Sequence, residues 1–332
     1  MLNNNDFQKA VGLIDKSDSI LIATHTKPDG DACGCMAALT EAFAALGKKT
    51  KALMLSPIPR WYTFLFHDKV PILGQDVSLE DLTEGRFGKF DLVVIVDTNS
   101  RKQLVEFDGY LKDCDLPVLV MDHHVTSDSL GDVELVEPGA AATGLIVHDL
   151  FKYARWPVTK KVAEALFVAV ATDTGWFQFA NTDSRTLRTC AELIERGADP
   201  TELYHALYEN YSPQRFALML SMLGTLQLHF DSRYATQYIR LRDFEQTGAA
   251  HADTENFINE CHRIDTVKVS ALFVELKDGR IRCSLRSRCD ADVSKIAVKF
   301  GGGGHKMAAG TYLHGALEDA MQLVSAEVKK QL

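Results

Sequence analysis

Ser19-Ile20-Leu21-Ile22-Ala23-Thr24-His25-Thr26-Lys27-Pro28-Asp29-Gly30-Asp31 is the stretch on which the fold turns. A short β-branched and apolar run bounded by polar residues reads as a strand buried on both faces, and here it stops on an imidazole and two carboxylates. An Ala/Leu-rich helix over about 32–46, closed by Gly47, and a strand at 51–55 complete a βαβ unit. Two further apolar runs, at 91–97 and 117–121, stop on Asp97 and on Asp122-His123-His124. In open α/β sheets ligands collect where the strands end, so the pattern predicts a metal-dependent site along the carboxyl edge of a parallel sheet.

Working outward, residues 133–136 read as one more strand, and helices follow at 143–153, 159–171, 184–196, 201–210 and 213–228. Strands return beyond residue 230, at 234–240, then as a hairpin of 267–276 with 280–285 around Lys277-Asp278-Gly279, a turn suited to positive φ at the glycine. A helix at 292–299, a glycine run at 301–304, a strand at 308–313 and a helix at 316–331 close the chain. The fold class expected is α/β: a parallel-sheet, three-layer N-terminal domain joined by a helical spacer to a smaller α/β C-terminal domain. Its boundaries fall at 1–205, 206–230 and 231–332.

His25, Asp29 and Asp31 leave one strand within seven residues, with Pro28 and Gly30 permitting the bend that turns them inward. A helix N-cap accounts for Asp29 or Asp31 as well, so both readings stand at this point. Asp97 would be a costly bare charge at the mouth of the sheet unless paired or metal-bound. Asp173, in Ala171-Thr172-Asp173-Thr174-Gly175, ends an apolar run that starts at Val162. Carboxylates and imidazoles without thiolates suit manganese or a similar hard divalent ion, although zinc competes on affinity.

Together, residues 25–31, the strand-end Asp97, Asp122-His123-His124 and Asp173 resemble, in order, the four motifs of the DHH phosphoesterase superfamily. Arg286-Ser287-Arg288 and Phe300-Gly301-Gly302-Gly303-Gly304-His305 resemble the DHH-associated C-terminal domain of the branch that degrades nano-RNA and pAp. The resemblance implies two divalent ions, manganese foremost. One would take His25, Asp29 and Asp97; the other Asp31, Asp97, His123 and Asp173, with Asp97 bridging. It also implies Asp97, Asp122 and His124 as the catalytic group, Asp122 orienting the neighbouring histidine and His124 touching the scissile phosphate. Arg101, Arg286, Ser287, Gly302, Gly303, Gly304 and His305 would bind substrate. Consecutive glycines let backbone N–H groups approach a phosphate, and an Arg fork matches its oxygens, but a glycine run is also an ordinary flexible loop.

The net charge of −9 disfavours long duplex nucleic acid as a partner. Between Lys268 and Lys306, however, nine Lys or Arg face four Asp or Glu, which suits a small anionic substrate as well as it suits a solvated face. The seven cysteines are scattered, with no C-x-x-C spacing, and no apolar run is long enough to span a membrane, so reduced thiols and a cytoplasmic setting are expected. Trp176, just after Asp173, is a candidate for base stacking. The activity expected is hydrolysis of RNA about two to five nucleotides long to nucleoside monophosphates, with a catalytic centre on one domain and an end-reading pocket on the other setting substrate length. Dephosphorylation of pAp is a second activity, and a homodimer is an expectation from resemblance only. Cleavage of cyclic or linear signalling dinucleotides is the alternative within enzymes; a nucleotide-binding regulator without catalysis is the alternative outside them.

Overall fold

The computed structural model describes residues 2–332, which form two compact units, one ending at Asn210 and one beginning at Tyr211. In the first, five parallel strands are ordered β2-β1-β3-β4-β5: β1 (Ser19–Ala23), β2 (Lys49–Leu53), β3 (Leu92–Val96), β4 (Val118–Asp122) and β5 (Val133–Val136). Alternate residues of β1, β3 and β4 bury on opposite faces. Ile20, Ile22, Val94, Val96, Leu119 and Met121 enter one core; Leu21, Ala23, Val93, Ile95, Val118 and Val120 enter another. Burial on both faces is what continuous apolar strands require.

The first core is roofed by α1 (Asn4–Asp15), α2 (Gly30–Ala45) and, further along, α6 (Thr143–Ala154), α7 (Lys160–Asp173), α8 (Ser184–Glu195) and α9 (Pro200–Tyr208). The second core takes Leu82, Leu104, Phe107 and Tyr110 from three short helices, α3 (Leu79–Thr83), α4 (Arg101–Leu104) and α5 (Phe107–Asp113). The result is a three-layer α/β unit. Helix α2 lies unusually close to α7: a Cβ built on Gly34 would sit 2.4 Å from the Ala165 carbonyl oxygen, and one on Gly30 would sit 2.2 Å from Thr172 Oγ1. Glycine at these two positions is therefore a packing requirement, and it draws the start of α2 towards the end of α7.

The second unit holds a six-stranded mixed sheet in the order β10-β11-β9-β8-β7-β6. Its strands are β6 (Gln227–His229), β7 (Tyr234–Ile239), β8 (Val269–Glu275), β9 (Arg280–Ser287), β10 (Gly303–His305) and β11 (Ala308–His314). Only β7 and β8 run parallel. Helices α12 (Val293–Lys299) and α13 (Leu317–Lys329) pack on one face through Val293, Val324 and Val328 against Ile281, Cys283 and Leu285. On the other face α10 (Pro213–Leu223), α11 (Leu241–Thr247) and a 3-10 segment at Phe257–Arg263 cover Ile239, Leu272 and Val274.

Three local expectations are corrected. The helix read as a spacer, α10, puts Leu218 and Met222 into the core of the second unit. It also ends at Leu223, because the next residues are taken up by β6, which pairs with β7. The glycine run is not a free loop: Gly303 to His305 form β10, antiparallel to β11. Strand β2 begins at Lys49, two residues earlier than its apolar pattern suggested. All seven cysteines are free thiols, and no helix of the described residues is long and apolar enough to cross a membrane.

Candidate metal centre

Strand β1 delivers Thr24, whose hydroxyl donates to the Val96 carbonyl at 2.8 Å and so ties the ends of β1 and β3 together. His25 follows, buried, with Nδ1 2.9 Å from the carbonyl oxygen of Thr26. A carbonyl can only accept, so Nδ1 carries the proton and Nε2 keeps its lone pair, aimed at Asp97 Oδ2 at 3.5 Å. His123 is held the same way. Its Nδ1 donates to the Ala140 carbonyl at 3.1 Å, which leaves Nε2 3.5 Å from Asp173 Oδ2, 3.8 Å from Asp97 Oδ1 and 4.0 Å from Asp31 Oδ2. Two imidazoles with backbone-fixed tautomers and lone pairs directed at carboxylates are the arrangement metal-ligating histidines adopt.

Asp97 stands between them, buried, with one oxygen on the His25 side and the other on the His123 side. Its φ of +61° is a conformation Asp tolerates better than most side chains, and its N–H still bonds the Met121 carbonyl of β4 at 2.9 Å. Asp29 caps α2: its Oδ1 accepts from the N–H groups of Asp31 and Ala32, both at 3.1 Å. The cap and the ligand reading coexist, because Asp29 still reaches His25 and Asp97, the three offering donor atoms within 4.8 Å of one another.

Asp31, one helical step on, is the external cap of another helix. The first residues of α6 have no capping side chain, since Ala142 occupies the N-cap, and Asp31 accepts instead from Thr143 N–H at 2.6 Å and Gly144 N–H at 2.9 Å. Thr143 also donates its hydroxyl to Asp97 Oδ1 at 2.9 Å. Sequence reasoning missed Thr143 and Gly144. The signal available was an apolar helix starting without a capping residue, which needs an acceptor from elsewhere.

Asp173 is the last residue of α7, where the helix dipole disfavours a carboxylate, yet it closes a second cluster with Asp31 and His123. Burial raises Asp31 well above the usual carboxylate range, with Asp97, Asp173 and Asp29 adding repulsion. It does the same to Asp97, reinforced by Asp29 and Asp173, and raises Asp173 despite His123. Acidic groups so crowded and dehydrated call for a cation. Thiols are poor candidates to help: burial raises Cys33 and Cys35, and Cys35 instead donates to Asp31 Oδ1 at 3.4 Å.

His124 differs from its neighbour. Its Nδ1 bonds Asp122 Oδ1 at 2.7 Å, which raises its proton affinity, and the side chain is 48% exposed. Asp122 is fully buried, so it orients His124, while His123 is oriented by Ala140. Other nominated residues lie elsewhere. Arg101 is turned onto Asp108, with Nη1 to Oδ1 at 2.7 Å. In the second unit, Arg286 and Ser287 face opposite sides of β9, and the Ser287 hydroxyl closes a turn with Cys289. Gly302 and Gly304 are required by β11: a Cβ on either would approach its backbone to 2.2 Å or 2.5 Å. His305 is exposed at the end of β10.

Residues 19–170 match the model of the DHH family N-terminal domain and residues 231–330 that of the DHHA1 domain. A bifunctional oligoribonuclease and PAP phosphatase, NrnA, of Thermus thermophilus is 32% identical over 319 residues, covering 94% of this chain and 90% of the relative. The chain belongs to the DHH family. Another relative of this DHH protein, the NrnA of Bacillus subtilis, is 25% identical over 90% of each chain. The cyclic-di-AMP phosphodiesterase PdeA of Listeria monocytogenes is 27% identical over 96% of the DHH chain but only 47% of its own length. Among solved structures, an exopolyphosphatase-related protein from Bacteroides fragilis superposes with a TM-score of 0.89 at 22% identity, covering 99% of this chain and 96% of that one; the DHH fold is shared.

Proposed function

We propose that the chain is a two-metal phosphoesterase that hydrolyses very short RNA to nucleoside monophosphates and removes the 3′-phosphate of pAp. The observation that carries this is Asp97, whose two oxygens serve different histidines. In this reading His25, Asp29 and Asp97 would hold one divalent ion, and Asp31, Asp97, His123 and Asp173 would hold the other. The donor set of carboxylate and imidazole, with neighbouring thiols kept protonated, favours manganese. When bound, such a pair supplies a water activated near neutral pH and charge stabilisation for an in-line displacement at phosphorus.

The chain's own groups supply the rest. His25 and His123 turn Nε2 towards the carboxylates because the carbonyls of Thr26 and Ala140 accept from their Nδ1–H groups. Asp122 keeps a proton on His124 Nδ1 and favours the imidazolium, so the exposed Nε2–H donates to a phosphate oxygen as negative charge builds there. In the reaction a P–O ester bond breaks, the oxygen of water bonds phosphorus, and the leaving oxygen takes a proton. In the second unit, Arg286 and His305 bind a phosphate group. Arg286 has no carboxylate partner among the described residues and donates to the carbonyl of Leu285, so its guanidinium has donors left for an anion. A cytoplasmic setting and a homodimer belong to the same reading.

Two relatives aligned along nine-tenths of the chain carry the oligoribonuclease and PAP phosphatase name, which favours this substrate class. The PdeA relative supports hydrolysis of cyclic or linear dinucleotides as a second reading. Incubating the protein with manganese and, separately, pAp, two- and five-nucleotide RNA, cyclic di-AMP and pyrophosphate tests both. Turnover of the RNAs and pAp is expected; turnover of cyclic di-AMP alone selects the second reading, and no turnover at all refutes both.

A further inference from the structure

The loop that leaves the candidate metal centre at Asp173 is held in an unusual shape. Gly175, Trp176 and Phe177 have φ of +57°, +56° and +67°, three left-handed residues in succession, a conformation that bulky side chains rarely adopt. Hydrogen bonds hold it there. Trp176 N–H donates to the Ala171 carbonyl at 2.6 Å, and the N–H groups of Gln178 and Phe179 both donate to the Thr174 carbonyl at 3.0 Å. Further on, Asn181 donates from its carboxamide to the carbonyls of Asp173 at 3.2 Å and Ala141 at 3.1 Å. Ala141 adjoins Ala140, the residue that orients His123. Both ends of the loop are thus fastened to backbone beside the cluster of Asp31, His123 and Asp173.

This shape sorts three aromatic rings. Trp176, which the sequence nominated for base stacking, is enclosed by Phe167, Phe177, Tyr204 and Tyr208, with ring centres between 5.2 and 6.2 Å away, and packs on the core. Phe177 turns onto Phe167 in the same cluster. Both rings are occupied. Phe179 is left outside, 59% exposed. Its ring rests against Gly175, where a Cβ would come within 2.4 Å of two ring carbons, so a glycine two residues after Asp173 is what leaves the ring this seat. Within the neighbouring cluster Asp31 is sealed, whereas the Asp173 side chain is the most open member at 27% exposed, so a phosphate reaches the cluster from the Asp173 side.

An exposed ring fixed beside the point of phosphate entry matches how proteins hold unpaired bases without reading their sequence: every base has a π-face, and an aromatic side chain stacks on it. A ring already seated by its own loop loses little freedom when a base settles on it. We propose that Phe179 stacks on the nucleobase attached to the phosphate undergoing hydrolysis, and so is the residue by which the first unit prefers nucleotides to other phosphate esters. The inference rests on the short-RNA and pAp reading above and gives the unit that carries the metal centre a base contact of its own. Stacking tolerates any base, which suits degradation of fragments of mixed sequence.

Calorimetric dissociation constants for AMP, an end product of the proposed reactions, and for ribose 5-phosphate, the same molecule without its base, test the contact with manganese present. Phe179→Ala weakens AMP about tenfold and ribose 5-phosphate less than about twofold. Phe179→Tyr, which keeps the ring, restores AMP binding, and Phe179→Leu, which keeps only apolar bulk, does not. In steady-state kinetics Phe179→Ala raises the Michaelis constant for pAp and leaves that for ribose 3,5-bisphosphate unchanged. The side chain is exposed enough for the variants to fold, which their melting temperatures verify. Equal losses for AMP and ribose 5-phosphate, no loss for either, or recovery with leucine overturn the stacking. If the manganese-loaded wild type cleaves neither short RNA nor pAp, the functional reading fails and takes this inference with it; if it cleaves them while AMP affinity ignores Phe179→Ala, the base contact alone fails.

Discussion

Thr143 donates its hydroxyl to Asp97 Oδ1 across 2.9 Å, and through its backbone N–H it also holds Asp31 at 2.6 Å. One residue at a helix start thus positions carboxylates from two other elements. Thr143→Val keeps the N–H and the volume but removes the hydroxyl. Loss of such an orienting bond costs about 10–100-fold in metal affinity. Calorimetric titration with manganese should show that loss for Thr143→Val and recovery for Thr143→Ser, and unchanged affinity would speak against the positioning role.

Without a cation the acidic cluster is under electrostatic strain. Asp31, Asp97 and Asp173 repel one another in a dehydrated site, so Asp97→Asn, which can accept from Thr143 and donate to His25 Nε2, should raise the melting temperature in EDTA. It should also erase most of the gain that manganese gives the wild type, about 2.7 kcal/mol for each site at a hundredfold excess over its Kd. A lower melting temperature for Asp97→Asn in EDTA contradicts this account.

Much of this centre is legible in the sequence, because each apolar run that ends on His25, Asp97 or Asp122 combines a strand and its terminal side chain in one local pattern. What is not legible is non-local. Thr143 and Gly144 meet Asp31 across more than a hundred residues; the uncapped start of α6 at Ala142 signals that an acceptor is needed but not which residue supplies it. Pairing with β11 turns a glycine run that reads as a loop into β10, and burial against β7 and β8 turns a helix that reads as a spacer into core. Arg286 and Ser287 are adjacent in a motif, yet the two-residue period of β9 sends them to opposite faces.

The glycines of β10 are predicted to act through packing. Gly304, at φ +142°, would place a Cβ 2.5 Å from Ala309 Cα, so Gly304→Ala should destabilise the second unit by about 1–3 kcal/mol. His305→Ala should leave the denaturation midpoint within error while raising the Michaelis constant for pAp. Chemical denaturation and steady-state kinetics separate the two; a stable Gly304→Ala would remove the packing argument.

His262 sets a pH dependence. Its folded value of about 4 lies below the ordinary 6.5, so the unfolded chain binds the extra proton between those limits. Its contribution to stability is complete above pH 6.5, declines as pH falls towards 4, and is level below that. Thermal melts across this range should show a shallower decline for His262→Gln than for the wild type. Identical slopes would mean that the imidazole is not held neutral by burial and by its arginine neighbours.

The most direct test of the central claim is anomalous diffraction at the manganese edge from crystals soaked in the ion. Two peaks about 3.5–4 Å apart are expected, one beside His25 and Asp29, the other beside His123 and Asp173, with Asp97 touching both. A single peak, or a pair not bridged by Asp97, would contradict the two-metal centre.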